Sequence, residues 1–126
     1  MAEAESPTQP ALRDQQRALH AYEAVATVQR PHQKDYQIAV NDLGANILRS
    51  GLCAAIASVQ RLGNRGDVLL GHLASSGLSG LEDATAQDLA QRVRRLDADS
   101  YMIATRELLK VATWLKRAAQ ATFEEH

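Results

Sequence analysis

The longest unbroken helical period in the chain runs from about Asp99 to Phe123, and it sets what kind of fold is available. At about 100° per residue, Tyr101, Ala104, Leu108, Val111, Ala112, Leu115 and Ala119 share one broad arc, which reads as core. Nearly opposite, Arg106, Lys110, Thr113, Arg117 and Gln120 form a narrow exposed strip whose three cations lie within roughly 40° of one another. Trp114 and Lys116 stand on the two borders between these faces. Ile103 and Leu109 lie outside the main arc, so this helix carries more apolar surface than one core needs and predicts a second interface.

The rest of the 126 residues agrees with a helical class. Apolar residues reach 45% while aromatics are 4%, and Ala and Leu dominate, which favours helices packed on small side chains over an aromatic β core. The expected architecture is all-α, a compact single-domain helical bundle of about five to six helices with a central apolar helix. A disordered acidic lead is expected over residues 1–10, with Pro7 and Pro10, and a single helical domain over 11–126.

Within that domain, Leu12, Leu19, Tyr22 and Ala26 mark a first helix from Ala11 to Arg30, closed by Pro31. Tyr36, Ala39, Val40, Leu43 and Ile47 mark a second from about Gln33, and a left-handed Gly51 ends it. The near-continuous apolar stretch from Leu52 to Val59 reads as a helix, running to about Leu62, that is buried on most sides. "GNRGD" reads as a turn with Gly63 as C-cap and Asp67 as N-cap of a short fourth helix. "SSGLSGLEDAT" reads as a mobile loop, Thr85 as the cap of a fifth helix, and "DADS" as the start of the last.

Charge excludes some functions. Fourteen Lys and Arg against fifteen Asp and Glu give a formal charge of −1, so nucleic-acid binding has to come from a local patch. Cys53 is the lone cysteine, which rules out an internal disulfide and fits a reducing cytosol. The amino-terminal residues show no export signal and no apolar run spans a membrane, so a cytoplasmic protein is expected. His20, His32, His72 and His126 show no spacing with each other or with Cys53 that suggests a metal. No nucleotide-binding glycine pattern or nucleophile elbow is present. No catalytic residue, metal, cofactor or small-molecule substrate is expected. A helix-turn-helix reading of "RSGLCAAIASVQRLG" is disfavoured because its reading helix is almost wholly apolar.

Two readings of the cations stay open on spacing alone. They are a solvated face favoured near a helix C-terminus. Alternatively, Arg106, Lys110, Lys116 and Arg117 grip a phosphate backbone, joined by Arg92, Arg94 and Arg95 of "QRVRRL" and by Arg61 and Arg65. Likewise, Ile103, Leu109 and Trp114 are candidates for docking onto a protein partner.

The run "LDADSYMIATRELLKVATWLKRAAQATF", with Asp99, Ser100, Tyr101, Ala104, Thr105, Arg106 and Glu107, then Trp114, Leu115, Lys116, Arg117 and Ala119, resembles a known carboxy-terminal signature. It is that of the small α-helical subunit of type III-B CRISPR RNA-targeting (Cmr) complexes. "LGANILRSGLCAAI" is a second match, and together the two cover about a third of the chain. Ala118 departs from the aromatic common in the family, and Ser50 from its usual Asn. The resemblance implies a non-catalytic subunit that packs with copies of itself in a filament beside larger subunits. It also implies contact with the backbone of guide and target RNA.

Overall fold

The computed structural model describes residues 10–123. Within them six α-helices follow one another: α1 (Pro10–Ala26), α2 (Gln33–Ser50), α3 (Leu52–Gln60), α4 (Asn64–Ala74), α5 (Leu89–Arg94) and α6 (Ala98–Thr122). A 3-10 turn, Arg30–His32, precedes α2. The all-α class and the number of helices agree with the sequence. The expected lead over residues 1–10 lies, apart from Pro10, outside the described residues.

Helix α6 is the long spar. Its N-cap, Asp97, accepts the Ser100 amide at 2.8 Å, satisfying one of the free donors of the first turn. Ala104, Leu108, Val111, Ala112, Leu115, Ala118 and Ala119 are buried along it, and Tyr101 is half-buried. Ala118 thus belongs to the core. Helix α1 packs along α6, and α2 meets α6, α3 and α4. Tyr36, Val40, Leu43 and Ile47 of α2 are all buried, as their spacing required.

Helix α1 turns out differently from its sequence reading. Ala21, Ala24 and Val25 of α1, with Val28 just beyond its end, are buried, while Leu19, Tyr22 and Ala26 are exposed; the side chain of Leu12 is outside the described residues. Small side chains allow α1 to approach α6 closely, and the larger residues are left outside. The helix also ends at Ala26, earlier than Arg30. Gln29 is extended at φ −69° and ψ 148°, and Pro31 sits in the first turn of the 3-10 segment, where its missing N–H costs nothing.

Gly51, at φ 92°, is the hinge between α2 and α3, and its amide donates to Ile47 O at 2.9 Å. Helix α3 buries Leu52, Ala55, Ile56 and Val59 against α2, α4 and α5, but Ala54 and Ser58 are exposed. Burial is therefore on one face and not on most sides. Helix α4 begins at Asn64 with Gly63 as its N-cap, so Asp67 lies inside the first turn and "NRGD" is helical. Gly66 is there for space: a Cβ on it would run into the Val59 carbonyl and sit 3.2 Å from Leu62 Cβ.

The N-cap of α5 is Asp88 and not Thr85, because the helix begins only at Leu89; Thr85 and Asp88 instead bond each other across the turn that leads into it. The Thr85 amide donates to Asp88 Oδ1 at 2.7 Å and the Asp88 amide to Thr85 Oγ1 at 3.3 Å. The segment between α4 and α5 was expected to be a mobile loop, yet Leu78 and Leu81 are buried in the core. Its Ser79 is fastened to Glu107 of α6 by two hydrogen bonds, from the amide at 2.9 Å and from Oγ at 3.0 Å.

Candidate nucleic-acid interface

Every cation proposed from sequence is exposed: Arg61 and Arg65 around the α3–α4 junction, Arg92, Arg94 and Arg95 in and just after α5, and Arg106, Lys110, Lys116 and Arg117 on α6. They do not form one patch. Arg106 and Lys110 line a groove of about 170 Å³ together with Ile103, Glu107 and two residues of α1, Arg13 and Arg17. Arg13, Arg17 and Glu107 also line an adjoining groove of about 300 Å³ that extends to Ser76, Gly77 and Ser79.

Arg13 and Arg17 were missed by the sequence reading. Each lies one turn from the other, as do Arg106 and Lys110, but only the packing of α1 on α6 brings the two pairs to one groove. Among the described residues none of these four cations is held in an ion pair. An ion pair forms elsewhere, between Arg92 of α5 and its N-cap Asp88, at 3.0 Å. It helps the Thr85 amide to hold the Asp88 carboxyl below its ordinary range, as the Ser100 amide does for Asp97.

Lys116 and Arg117 stand apart from the groove. The guanidinium of Arg117 lies 5.3 Å from the centroid of the Trp114 ring, a cation–π arrangement. The same ring donates Nε1–H to Asp14 Oδ1 at 3.0 Å, tying α6 to α1. Of the three residues considered for a protein partner, Trp114 is half-buried and engaged within the chain. Leu109 packs partly against the core, and Ile103 is 45% exposed beside Met102 at 54%.

A polar cluster at the far end of α1 was not legible in the sequence either. The hydroxyl of Thr27 donates to Ala24 O at 2.6 Å, so it accepts from His72 Nε2 at 3.2 Å. His72 Nδ1 then accepts from Tyr36 Oη at 2.8 Å. The ring is held neutral: burial first, and the charge of His20 second, lower its pKa to about 4. Burial likewise raises the Tyr36 phenol above its ordinary value. His20 Nε2 donates to the backbone oxygen of His72 at 3.0 Å, a contact between one ring and the other residue's main chain. No group of three potential ligands for a metal ion occurs among the described residues, and His126 lies outside them. Nor is any described helix long and apolar enough to cross a membrane.

The family model described as "CRISPR-associated protein (Cas_Cmr5)" matches residues 13–122, which is nearly all of the helical bundle. The chain belongs to the Cmr5 family. A curated relative, the CRISPR system Cmr subunit Cmr5 of Thermus thermophilus, is 32% identical over 114 residues, covering 90% of this chain and 97% of that protein. The crystal structure of a CRISPR-associated Cmr5 family protein from the same organism superposes with a TM-score of 0.74 at 31% identity, over 89% of this chain and 98% of that one. The resemblance read from the α6 signature is therefore borne out at the level of family and fold. That signature now has a structural explanation in this chain. Tyr101, Glu107 and Trp114 each reach from α6 to a different segment: Tyr101 Oη accepts the Cys53 amide of α3 at 3.0 Å, Glu107 holds the Ser79 loop, and Trp114 holds α1.

Proposed function

We propose that this protein is a non-catalytic small subunit of a CRISPR RNA-guided, RNA-targeting complex in antiviral defence. In this reading a single helical domain over 11–126 packs in a filament with copies of itself beside larger subunits. The T. thermophilus relative is a Cmr subunit, which supports membership of such a complex. Contact with the backbone of guide and target RNA is assigned to the exposed cations, led by Arg106, Lys110 and Arg117, with Lys116, Arg61, Arg65, Arg94 and Arg95 as outlying contributors.

The observation that carries this reading is the segregation of charge. On a chain of net charge −1, the cations of α6 stand exposed and without ion-pair partners among the described residues, on the face away from the core. Phosphates can be held by such a patch while the remaining surface meets protein neighbours. A site that touches backbone is sufficient where base pairing supplies sequence recognition.

Reversal of Arg106, Lys110 and Arg117 to Glu should leave helix content unchanged and weaken capture of target RNA by the assembled complex. It should also flatten the salt dependence by about 0.7 in log-log slope for each lost contact to a single strand. Capture that is unchanged across a salt series would remove RNA contact from this strip. The exposed pair Met102 and Ile103 favours a second reading, a protein-docking face with no direct RNA contact. In that case alanine at Met102 and Ile103 impairs assembly and the charge reversals do not.

A further inference from the structure

We propose that the groove between α1 and α6 seats one single strand of RNA, with Arg13 and Arg17 holding it from one wall and Arg106 and Lys110 from the other. This rests on the RNA-contacting reading above and changes its geography. The seat is two-walled, it includes α1, and it leaves out Lys116 and Arg117.

Both pairs of cations have i, i+4 spacing on their helices, so each pair is about 6 Å apart along its helix axis. That separation suits neighbouring phosphates of one extended strand. The walls are set by packed helices, whose axes typically lie about 8–10 Å apart. A surface groove of about 170 Å³ has room between the two cation pairs for the backbone of one strand and none for a second strand with its stacked bases. A single strand can turn its phosphates to the cations and its bases elsewhere.

The interior of the groove fits the same occupant. Four cations and one carboxylate, Glu107, leave three net positive charges around the two adjoining grooves. Both carboxylate oxygens of Glu107 are already engaged by Ser79, at 2.9 and 3.0 Å, which partly satisfies the one negative charge an incoming phosphate would meet. Ile103, 45% exposed in the groove, offers an apolar surface for the face of an unstacked base. The arginine planes can stack on bases as well as pair with phosphates. Arg117, by contrast, already lies over the Trp114 ring.

The test uses the full chain, a fluorescently labelled single-stranded RNA and the same sequence as a duplex, with anisotropy read over a salt series. The single strand is expected to bind several-fold more tightly than the duplex. Replacing Arg13 and Arg17 together by Glu is expected to weaken single-strand binding at least tenfold at low salt, as much as replacing Arg106 and Lys110. Each double change should reduce the salt slope by about 1.4, two contacts' worth. Replacing Lys116 and Arg117 should have the smaller effect. The Gln versions keep the side-chain stems and guard against a folding defect, with helix content checked by circular dichroism.

A loss on α6 with no loss on α1 would overturn the two-walled seat and leave RNA contact through α6 standing. Equal or tighter binding of the duplex would also overturn the seat. Absence of detectable single-strand binding would overturn it as a site in its own right, whereas the RNA-contacting reading fails only when target capture by the assembled complex ignores the charge reversals.

Discussion

Gly66→Ala and Gly44→Ala are the same chemical change in two helices, and the structure requires them to have opposite signs. In a helix interior alanine is favoured over glycine by about 1 kcal/mol, because glycine loses more backbone entropy on folding. Gly44 lies within α2 with nothing within 4 Å of where its Cβ would stand. Gly44→Ala should therefore gain about 0.5–1 kcal/mol. At Gly66 the added Cβ would overlap the Val59 carbonyl and press on Leu62 Cβ at 3.2 Å. The first is a backbone atom and the second is fixed to one, so no rotamer change relieves the overlap and the α3–α4 junction has to open. Overpacking of this kind costs about 1–3 kcal/mol or somewhat more, and the rigid partners place Gly66→Ala at the upper end. After the propensity gain, a net loss of about 1–3 kcal/mol remains, and the two variants should differ by about 2–4 kcal/mol. Urea denaturation followed by far-ultraviolet circular dichroism reads this difference directly. If Gly66→Ala were as stable as Gly44→Ala, the close approach of α4 to the Val59 carbonyl would be refuted, and with it the placement of Arg61 and Arg65 on either side of that junction.

The His72 cluster predicts an acid limb in stability. A histidine whose folded pKa is lowered to about 4 contributes stability that is full above its unfolded value near 6.5 and is lost as the pH falls from there toward 4. Discounted for its partial exposure to solvent, the loss should be on the order of 1–2 kcal/mol over that window. It should disappear in His72→Asn; persistence of the same limb in that variant would assign it to other groups, while the Asp88 and Asp97 caps should titrate below the window. Tyr101→Phe leaves the Cys53 amide without its side-chain acceptor, which should cost about 1 kcal/mol and speed hydrogen exchange at that amide. Unchanged exchange there would show that the hydroxyl is not the cap of α3.

How much of this was legible depended on whether the deciding contact lay within one helix. The core arc of α6 could be read because its 25 residues repeat the pattern over many turns, and the Tyr36 to Ile47 stripe of α2 could be read for the same reason. In helix α1 the large apolar residues Leu19 and Tyr22 carry the stronger sequence signal, yet they are exposed and the small ones are buried. Ala21 and Ala24 face inward since they let α1 lie close to α6, a property of the pair and not of α1 alone. Gly66 looked like part of a turn because the Val59 carbonyl that demands it belongs to another helix. The loop from Ser75 gave no sign of its attachment, since Ser79 meets Glu107 across 28 positions of sequence.

The same distinction separates the residues of the α6 signature into two kinds. Tyr101, Glu107 and Trp114 spend their polar atoms on α3, the Ser79 loop and α1, so their presence is accounted for by the fold. Arg106 and Lys110 make no such bond among the described residues. The structure therefore gives them nothing to hold, while it places Arg13 and Arg17 across a groove from them. Cations kept exposed and brought together from two helices repel one another, a cost the fold has no internal reason to accept. In the reading proposed above, an anionic occupant offsets that repulsion, and the regular helical spacing of the cations on both walls favours one that repeats along its length, as a phosphodiester backbone does.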